Sequence, residues 1–362
     1  MSLWDLTSGD LVSVPGDPTG DAVCALRIPA HDRTIGLYRD GVIIQSGGSS
    51  PPDRRPHPYR FDRVSMTPEG WILGRHGVSD DGGLAVFDPE TREGGNLDHG
   101  TRWIGSAPTV AVTPCRSYAL AGDEDGVLEV LNLESGKSSY LKGHEGAVWD
   151  VDCSPDGILA ATSSTDGTVR VWDLINLGEA MVWDDTSAHL IRFVPDGSVI
   201  VSTASRGAIE ARMVHTGELL WEGRTIRESS DLAISDDGAL AVASSGYGGV
   251  EIWSIGEGKR IATFEADEHL RFPPVLSGSH AMVCDRSGRA HFLRIENHEP
   301  GPPLVTGTRV DGDLTVRCPR CGGTSVMQDD PGATIDCPAP SCGVTLRTNT
   351  FTVRLRGFLE PV

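Results

Sequence analysis

Short apolar runs recur along the first 290 positions, and none of them holds a helical period. ILAATSS (158–164), SVIVSTA (198–204) and ALAVASS (239–245) are each followed by a turn and then by a second run, TVRVW (168–172), or VEIW (250–253), where apolar and polar residues alternate. Runs of this length bounded by turn residues predict β-strands. The turns fall on a comb of glycines, Gly41, Gly82, Gly126, Gly167, Gly207, Gly248 and Gly288, spaced 41, 44, 41, 40, 41 and 40 residues apart. A second comb precedes it by about a dozen residues, at Pro68-Glu69-Gly70, Pro114, Pro155-Asp156-Gly157, Pro195-Asp196-Gly197 and Asp236-Asp237-Gly238. Two hairpin turns in each period of about 40 imply four short antiparallel strands per unit.

Self-similarity at this period is the mark of propeller blades, so the fold class predicted is all-β, a seven-bladed β-propeller followed by a small C-terminal module. The units begin near Asp21, Phe61, Ser106, Gly143, Ser187, Arg227 and His269, and a Pro- and Arg-rich insertion, SSPPDRRPHPYR, follows the first. A ring of blades has to close. Leu11, Val12 and Val14 are placed to supply the outermost strand of the seventh blade, which removes an open sheet edge. The alternative closure is a partial eighth blade shared between the N-terminus and residues near Pro303–Thr306. The domain boundary predicted is 1–306 for the propeller and 307–362 for the module.

Charge and composition narrow the partners. The net charge is −20, while residues 307–362 hold six Arg and six acids, so the repeat region carries the excess. That field disfavours a polyanion on the propeller. The N-terminus, MSLWDLTSGD, has neither the basic start nor the apolar core of a signal peptide, and no apolar run reaches 18 residues, which predicts a cytoplasmic protein without a membrane partner. Arg outnumbers Lys 28 to 3, a codon-usage signature of a GC-rich, bacterial genome. Cys24, Cys115, Cys153 and Cys284 sit singly in β-rich runs and read as buried thiols.

Gly143 to Asp173 reads GHEGAVWDVDCSPDGILAATSSTDGTVRVWD. This segment resembles a WD repeat, with its Gly-His start, SPDG turn, Asp-Gly turn and Trp-Asp end. The resemblance implies a hydrogen-bonded tetrad of His144, a strand-two hydroxyl (Thr162 or Ser164, with Ser164 taken as the member), Asp166 and Trp172. The other units match more loosely: Leu131 stands where Trp is expected in the third, Tyr247 at the turn of the sixth and Arg206 at that of the fifth.

The last 45 residues contain C-x2-C, fifteen residues, then C-x4-C: Cys318, Cys321, Cys337 and Cys342. This tail resembles a zinc ribbon, its first knuckle met by Cys318-Pro-Arg-Cys321-Gly322. Four thiolates suit one tetrahedral, structural Zn²⁺ with no open coordination position. So short a tail has too little core to fold without it. LTVR (314–317) and FTVRLRG (351–357) are expected to pair as the ribbon's outer strands.

No G-x-S-x-G, Walker loop or His-Glu-x-x-His occurs, and the intact repeat uses its own His and Asp structurally, so no catalytic role is predicted. The resemblance implies a scaffold that docks other proteins on the end where the strand-two to strand-three turns cluster. The partner-binding residues predicted there are Arg39, Trp149, Thr165, His189 and Arg286. A second reading has Arg317, Arg320, Arg347, Arg354 and Arg356 of the ribbon contact nucleic acid or a nucleic-acid enzyme, although the few aromatics there fit single-strand binding poorly.

Overall fold

The computed structural model describes residues 110–354, apart from short segments at 114–116, 134, 185–187, 271–273, 278, 285–289, 297–298, 311–312, 319–323, 328–332 and 338–341, together with the backbone of the strands before residue 110. Its architecture is all-β. Six four-stranded antiparallel meanders follow one another from Ala22 to Glu265, and a three-stranded one, Val275–Ser277, His280–Cys284 and Ala290–Arg294, comes next. Among the described residues the one helical turn is Ser205–Gly207. A succession of this kind is consistent with a WD-type β-propeller.

Strand position within each meander decides burial. The second strands, Tyr118–Gly122, Leu159–Ser164, Val199–Ala204 and Leu240–Ser244, are buried almost throughout, whereas the fourth strands, such as Leu219–Arg224 and Lys259–Glu265, are largely exposed. A strand covered on both faces reads as a continuous run of small and apolar residues rather than an alternation. That is the origin of ILAATSS and ALAVASS. The larger apolar clusters lie between two successive sheets. Leu120, Leu128 and Val130 of the third meet Val151, Ala160 and Trp172 of the fourth. Val169 and Val171 of the fourth meet Ile191 and Phe193 of the fifth, and Val201 and Ile209 of the fifth meet Leu232 and Trp253 of the sixth. The sheets therefore stack face to face, with the first strands of neighbours adjoining.

The combs correspond to backbone geometry. Gly126, Gly167, Gly207 and Gly248 have φ between +77° and +95°, and Gly157, Gly197 and Gly238 lie at +71° to +73°. At Gly126 a Cβ would also stand 2.5 Å from the His144 carbonyl oxygen, so both conformation and space require glycine there. A third series, Gly136, Gly217 and Gly258, marks the turns between third and fourth strands. Its member in the fourth sheet is Leu177, at φ +52°, which packs against the core cluster below it.

Three expectations change. Within the Pro- and Arg-rich insertion, Asp53–Arg55 pairs with Val42–Ile44 as the fourth strand of the first sheet, since an outer strand needs only an open edge and tolerates charge. Leu11–Val12 pairs with Leu3–Trp4 in a two-stranded sheet, a local closure with less entropic cost than one across the chain. The tail's strands Asp313–Arg317 and Thr345–Arg354 are separated by Leu304–Val310, which pairs antiparallel with the former and parallel with the latter. The tail sheet thus begins before the expected boundary at 306/307, in the order Thr324–Met327, Asp313–Arg317, Leu304–Val310, Thr345–Arg354, Thr334–Asp336.

This sheet is joined to the turns between first and second strands of the fifth and sixth sheets. Leu304 N donates to Asp236 O (2.9 Å), Gly301 N to Asp237 Oδ2 (2.8 Å) and Asn349 Nδ2 to Pro195 O (2.9 Å). In a meander those turns lie at the end opposite the Gly126–Gly248 turns, so these contacts of the described tail residues fall at the far end of the two sheets.

Candidate functional site

In the fourth sheet the side chains of four elements meet. His144, before the first strand, places Nδ1 2.9 Å from Asp166 Oδ2 and Nε2 2.7 Å from Thr162 Oγ1, and Trp172 Nε1 donates to the same Thr162 oxygen at 2.8 Å. One assignment pairs every donor with an acceptor: indole N–H to threonine oxygen, threonine O–H to Nε2, and Nδ1–H to the carboxylate. Burial lowers the His144 pKa despite the neighbouring Asp166, consistent with this neutral ring. Burial opposes ionisation of Asp166 too, but hydrogen bonds from Glu145 N, Thr168 N and Oγ1, and His144 hold it well below the usual carboxylate range.

The strand-two hydroxyl at the ring is therefore that of Thr162, and Ser164 is not the member. Both residues lie on one face of the strand, two positions apart, but Ser164 is at its mouth. There its hydroxyl donates to Gly146 O and accepts from Asp166 N, as a turn residue. We expect Thr162→Val, which keeps the shape, to cost about 2 kcal/mol by leaving the indole N–H and Nε2 buried without partners, and Ser164→Ala about half that. Urea unfolding of the two variants checks the assignment, and a larger loss at Ser164 would reverse it.

The sixth sheet shows what becomes of the group when members are lost. Thr225, Ala243 and Tyr247 stand at the positions of His144, Thr162 and Asp166. Trp253 is retained, but its Nε1 has no hydrogen-bond partner among the described residues. Its ring instead stacks on Trp221 with centroids 6.2 Å apart and lies under the Arg260 guanidinium. Tyr247, with Thr225 rather than a histidine at the position of His144, turns outward and is 66% exposed.

Two carboxylates that the sequence reading passed over join neighbouring sheets. Asp150 Oδ2 accepts from Ile191 N (3.0 Å) and from the Arg192 guanidinium, and Asp152 Oδ2 accepts from Phe193 N (2.8 Å). Ile191 and Phe193 lie on the edge strand of the fifth sheet, where alternate amides have no strand to pair with, and side-chain oxygens from the fourth sheet take that place.

At the Gly167 end, Trp149 and His189 stand at equivalent first-strand positions of the fourth and fifth sheets. Their rings lie 3.9 Å apart at 32°, with Trp149 43% exposed and the His189 pKa lowered by burial. Thr165 is exposed at the adjoining turn. The structure thus brings Trp149, His189 and Thr165 to one end of two sheets, where Trp149 presents its indole to solvent across the junction. Arg39 and Arg286 lie outside the described residues.

In the tail, the sulfurs of Cys318, Cys337 and Cys342 all lie within 4.8 Å of one another, and those of Cys318 and Cys342 are 3.8 Å apart. A tetrahedron with metal–sulfur bonds of about 2.3 Å has an edge of about 3.8 Å, whereas a disulfide needs about 2.05 Å. The spacing of the three thiols fits the ligation of one metal ion; Cys321 lies outside the described residues. Val305, Val316 and Leu346 form the small core around Cys318, and Cys337 and Cys342 pack against it.

Comparison with known proteins agrees with this geometry where it is most regular. The family model described as "WD domain, G-beta repeat" matches residues 136–173, the segment containing His144, Thr162, Asp166 and Trp172. The chain is 44% identical over 66 residues to eukaryotic translation initiation factor 3 subunit I of Aspergillus oryzae, covering 18% of this chain and 19% of that one. It is 36% identical over 80 residues to the same subunit of Pyricularia oryzae, 22% of each chain. It is also 26% identical over 177 residues to p21-activated protein kinase-interacting protein 1-like of Gallus gallus, 47% of each. The chain spans less than half of each of these relatives.

Proposed function

We propose that this protein is a non-catalytic protein–protein interaction scaffold, a seven-bladed WD-repeat propeller that docks partner proteins at the Gly167 end. A C-terminal ribbon holding one structural Zn²⁺ through Cys318, Cys321, Cys337 and Cys342 serves as a second docking element. The observation that carries the reading is the Trp149–His189 pair, a large aromatic surface held at a sheet junction and left open to solvent, on the end away from the tail. Rigid aromatic side chains of this kind anchor protein interfaces. Support comes from the relatives, one named a subunit of an initiation factor and one a kinase-interacting protein. The setting proposed is a multi-protein bacterial signalling, conflict or assembly system.

The test is affinity purification of the full chain from its native host, followed by titration of the recovered partner against Trp149→Ala, Arg39→Ala and Arg286→Ala. Trp149→Ala is expected to weaken the complex by about 2 kcal/mol or more. A complex at full affinity in all three variants would place docking elsewhere.

A further inference from the structure

Three successive sheet junctions at the Gly167 end each present an apolar or aromatic group to solvent. Trp149 lies over His189 between the fourth and fifth sheets. Ile226, 63% exposed, lies between the fifth and sixth. Tyr247 meets His269 edge-on, with centroids 5.3 Å apart, at the far side of the sixth. Ile226 is held rather than loose. Its amide donates to the buried Glu251 carboxylate, and Thr225 Oγ1 ties the loop to the carbonyls of Gly207 and Arg227.

Beside it a groove opens between this loop and the upper part of the sixth sheet, with Val250, Phe264 and Ala243 in its apolar wall and Ser245, Thr263 and Glu265 at its polar edge. Its volume of about 130 Å³ is below the ~300 Å³ at which small-molecule pockets begin and suits one protruding side chain. The ionised groups around it are of one dominant sign. Glu145, Asp184, Glu228, Asp267 and Glu268 are exposed on the loops and turns of this end. Among the described residues, Arg227 is paired through its guanidinium with Glu265, Arg206 gives Glu228 its backbone amide, and Arg224 ends the outer strand of the fifth sheet nearby, so the acids outnumber the cations at this end.

We infer that this groove and its flanking aromatics bind a short basic segment of a partner protein, one bulky apolar side chain seated beside Ile226 and flanking Lys or Arg residues set against Tyr247, Trp149 and the surrounding carboxylates. The inference rests on the docking function proposed above and specifies its partner. An apolar anchor fits the groove. Cations fit the acidic rim and stack on indole and phenol faces, and complementary charge sets which segments are admitted. Tyr247 is available for this because the sixth repeat has lost the histidine and threonine that its counterpart Asp166 serves in the fourth.

Selection of random 12-residue peptides displayed on phage against the full chain, followed by anisotropy titration of the enriched peptides, tests it. Enriched peptides are expected to carry net positive charge around an apolar residue. Their Kd should rise about tenfold or more in Ile226→Ser and in Tyr247→Ser, and again between 50 and 300 mM NaCl. Both side chains are mostly exposed, so the variants should melt with the native protein, and thermal unfolding verifies this. Enrichment of acidic or uncharged peptides that the same variants abolish overturns the basic partner and leaves docking at this end standing. Basic peptides whose affinity ignores both variants overturn the groove. Absence of any saturable peptide, together with a captured partner indifferent to Trp149→Ala, overturns the docking function itself.

Discussion

Asp150→Ala is expected to lower the stability of the repeat region by about 3 kcal/mol and its melting temperature by roughly 5–10 °C. The substitution removes one carboxylate but strands two groups. The Ile191 amide loses its acceptor on an edge strand, and the Arg192 guanidinium loses its counter-ion. Removing one partner of a buried pair costs more than the pair contributes, because the other charge stays behind without compensation. Asp150 is 7% exposed and Arg192 33%, so water reaches the arginine and the loss falls at the lower end of the range for such pairs. Asp150→Asn retains an acceptor for the amide and should lose less. Thermal unfolding of both variants measures the difference. A melting temperature for Asp150→Ala within about 1 °C of the native value would show that the sheets do not depend on this link.

The second large effect concerns the tail. Stripping metal with a strong chelator at neutral pH is expected to unfold the tail sheet while the meanders persist, since thiolate–zinc coordination supplies on the order of 10 kcal/mol to sites of this kind. The core around the thiols, Val305, Val316 and Leu346 with Cys318 itself, is too small to hold five strands alone. Hydrogen–deuterium exchange should show protection lost over residues 304–310 and 345–354, with residues 159–173 unchanged. Cys318→Ser should reproduce the loss without chelator. The native protein should contain one zinc per chain. Well under one zinc, with undiminished protection of the tail, would sink the assignment.

The effects depend on features of unequal legibility. Glycine turns were readable because positive φ admits few other residues, and four such turns lie in the expected comb. The third series was equally present in the sequence, yet Leu177 interrupts it, since packing beneath that turn compensates a conformation that leucine otherwise avoids. Thr162 and Ser164 could not be told apart from spacing, because a strand places residues i and i+2 on one face. Their depth along the strand decides which one reaches His144. Asp150 and Asp152 looked like ordinary polar positions of an alternating strand. The amides that donate to them are 41 residues away, in a sheet that shares no backbone ladder with theirs. Nothing local signals that Tyr247 would face solvent or that Ile226 would be pinned through Glu251.

By itself, then, the sequence determined the strand class, the four-strand unit, the turn positions, the one regular repeat around His144 and the spacing of the cysteines. These follow from rules that act within a strand or across a turn, where period and allowed φ leave few choices. The tertiary structure alone decided which carboxylates bridge sheets, where Leu11–Val12 and Leu304–Val310 pair, and that the tail occupies one end of the fifth and sixth sheets while Trp149, Ile226 and Tyr247 emerge at the other. Those outcomes are set at junctions between sheets, where side chains meet without a shared register and packing, charge and available edges make the selection.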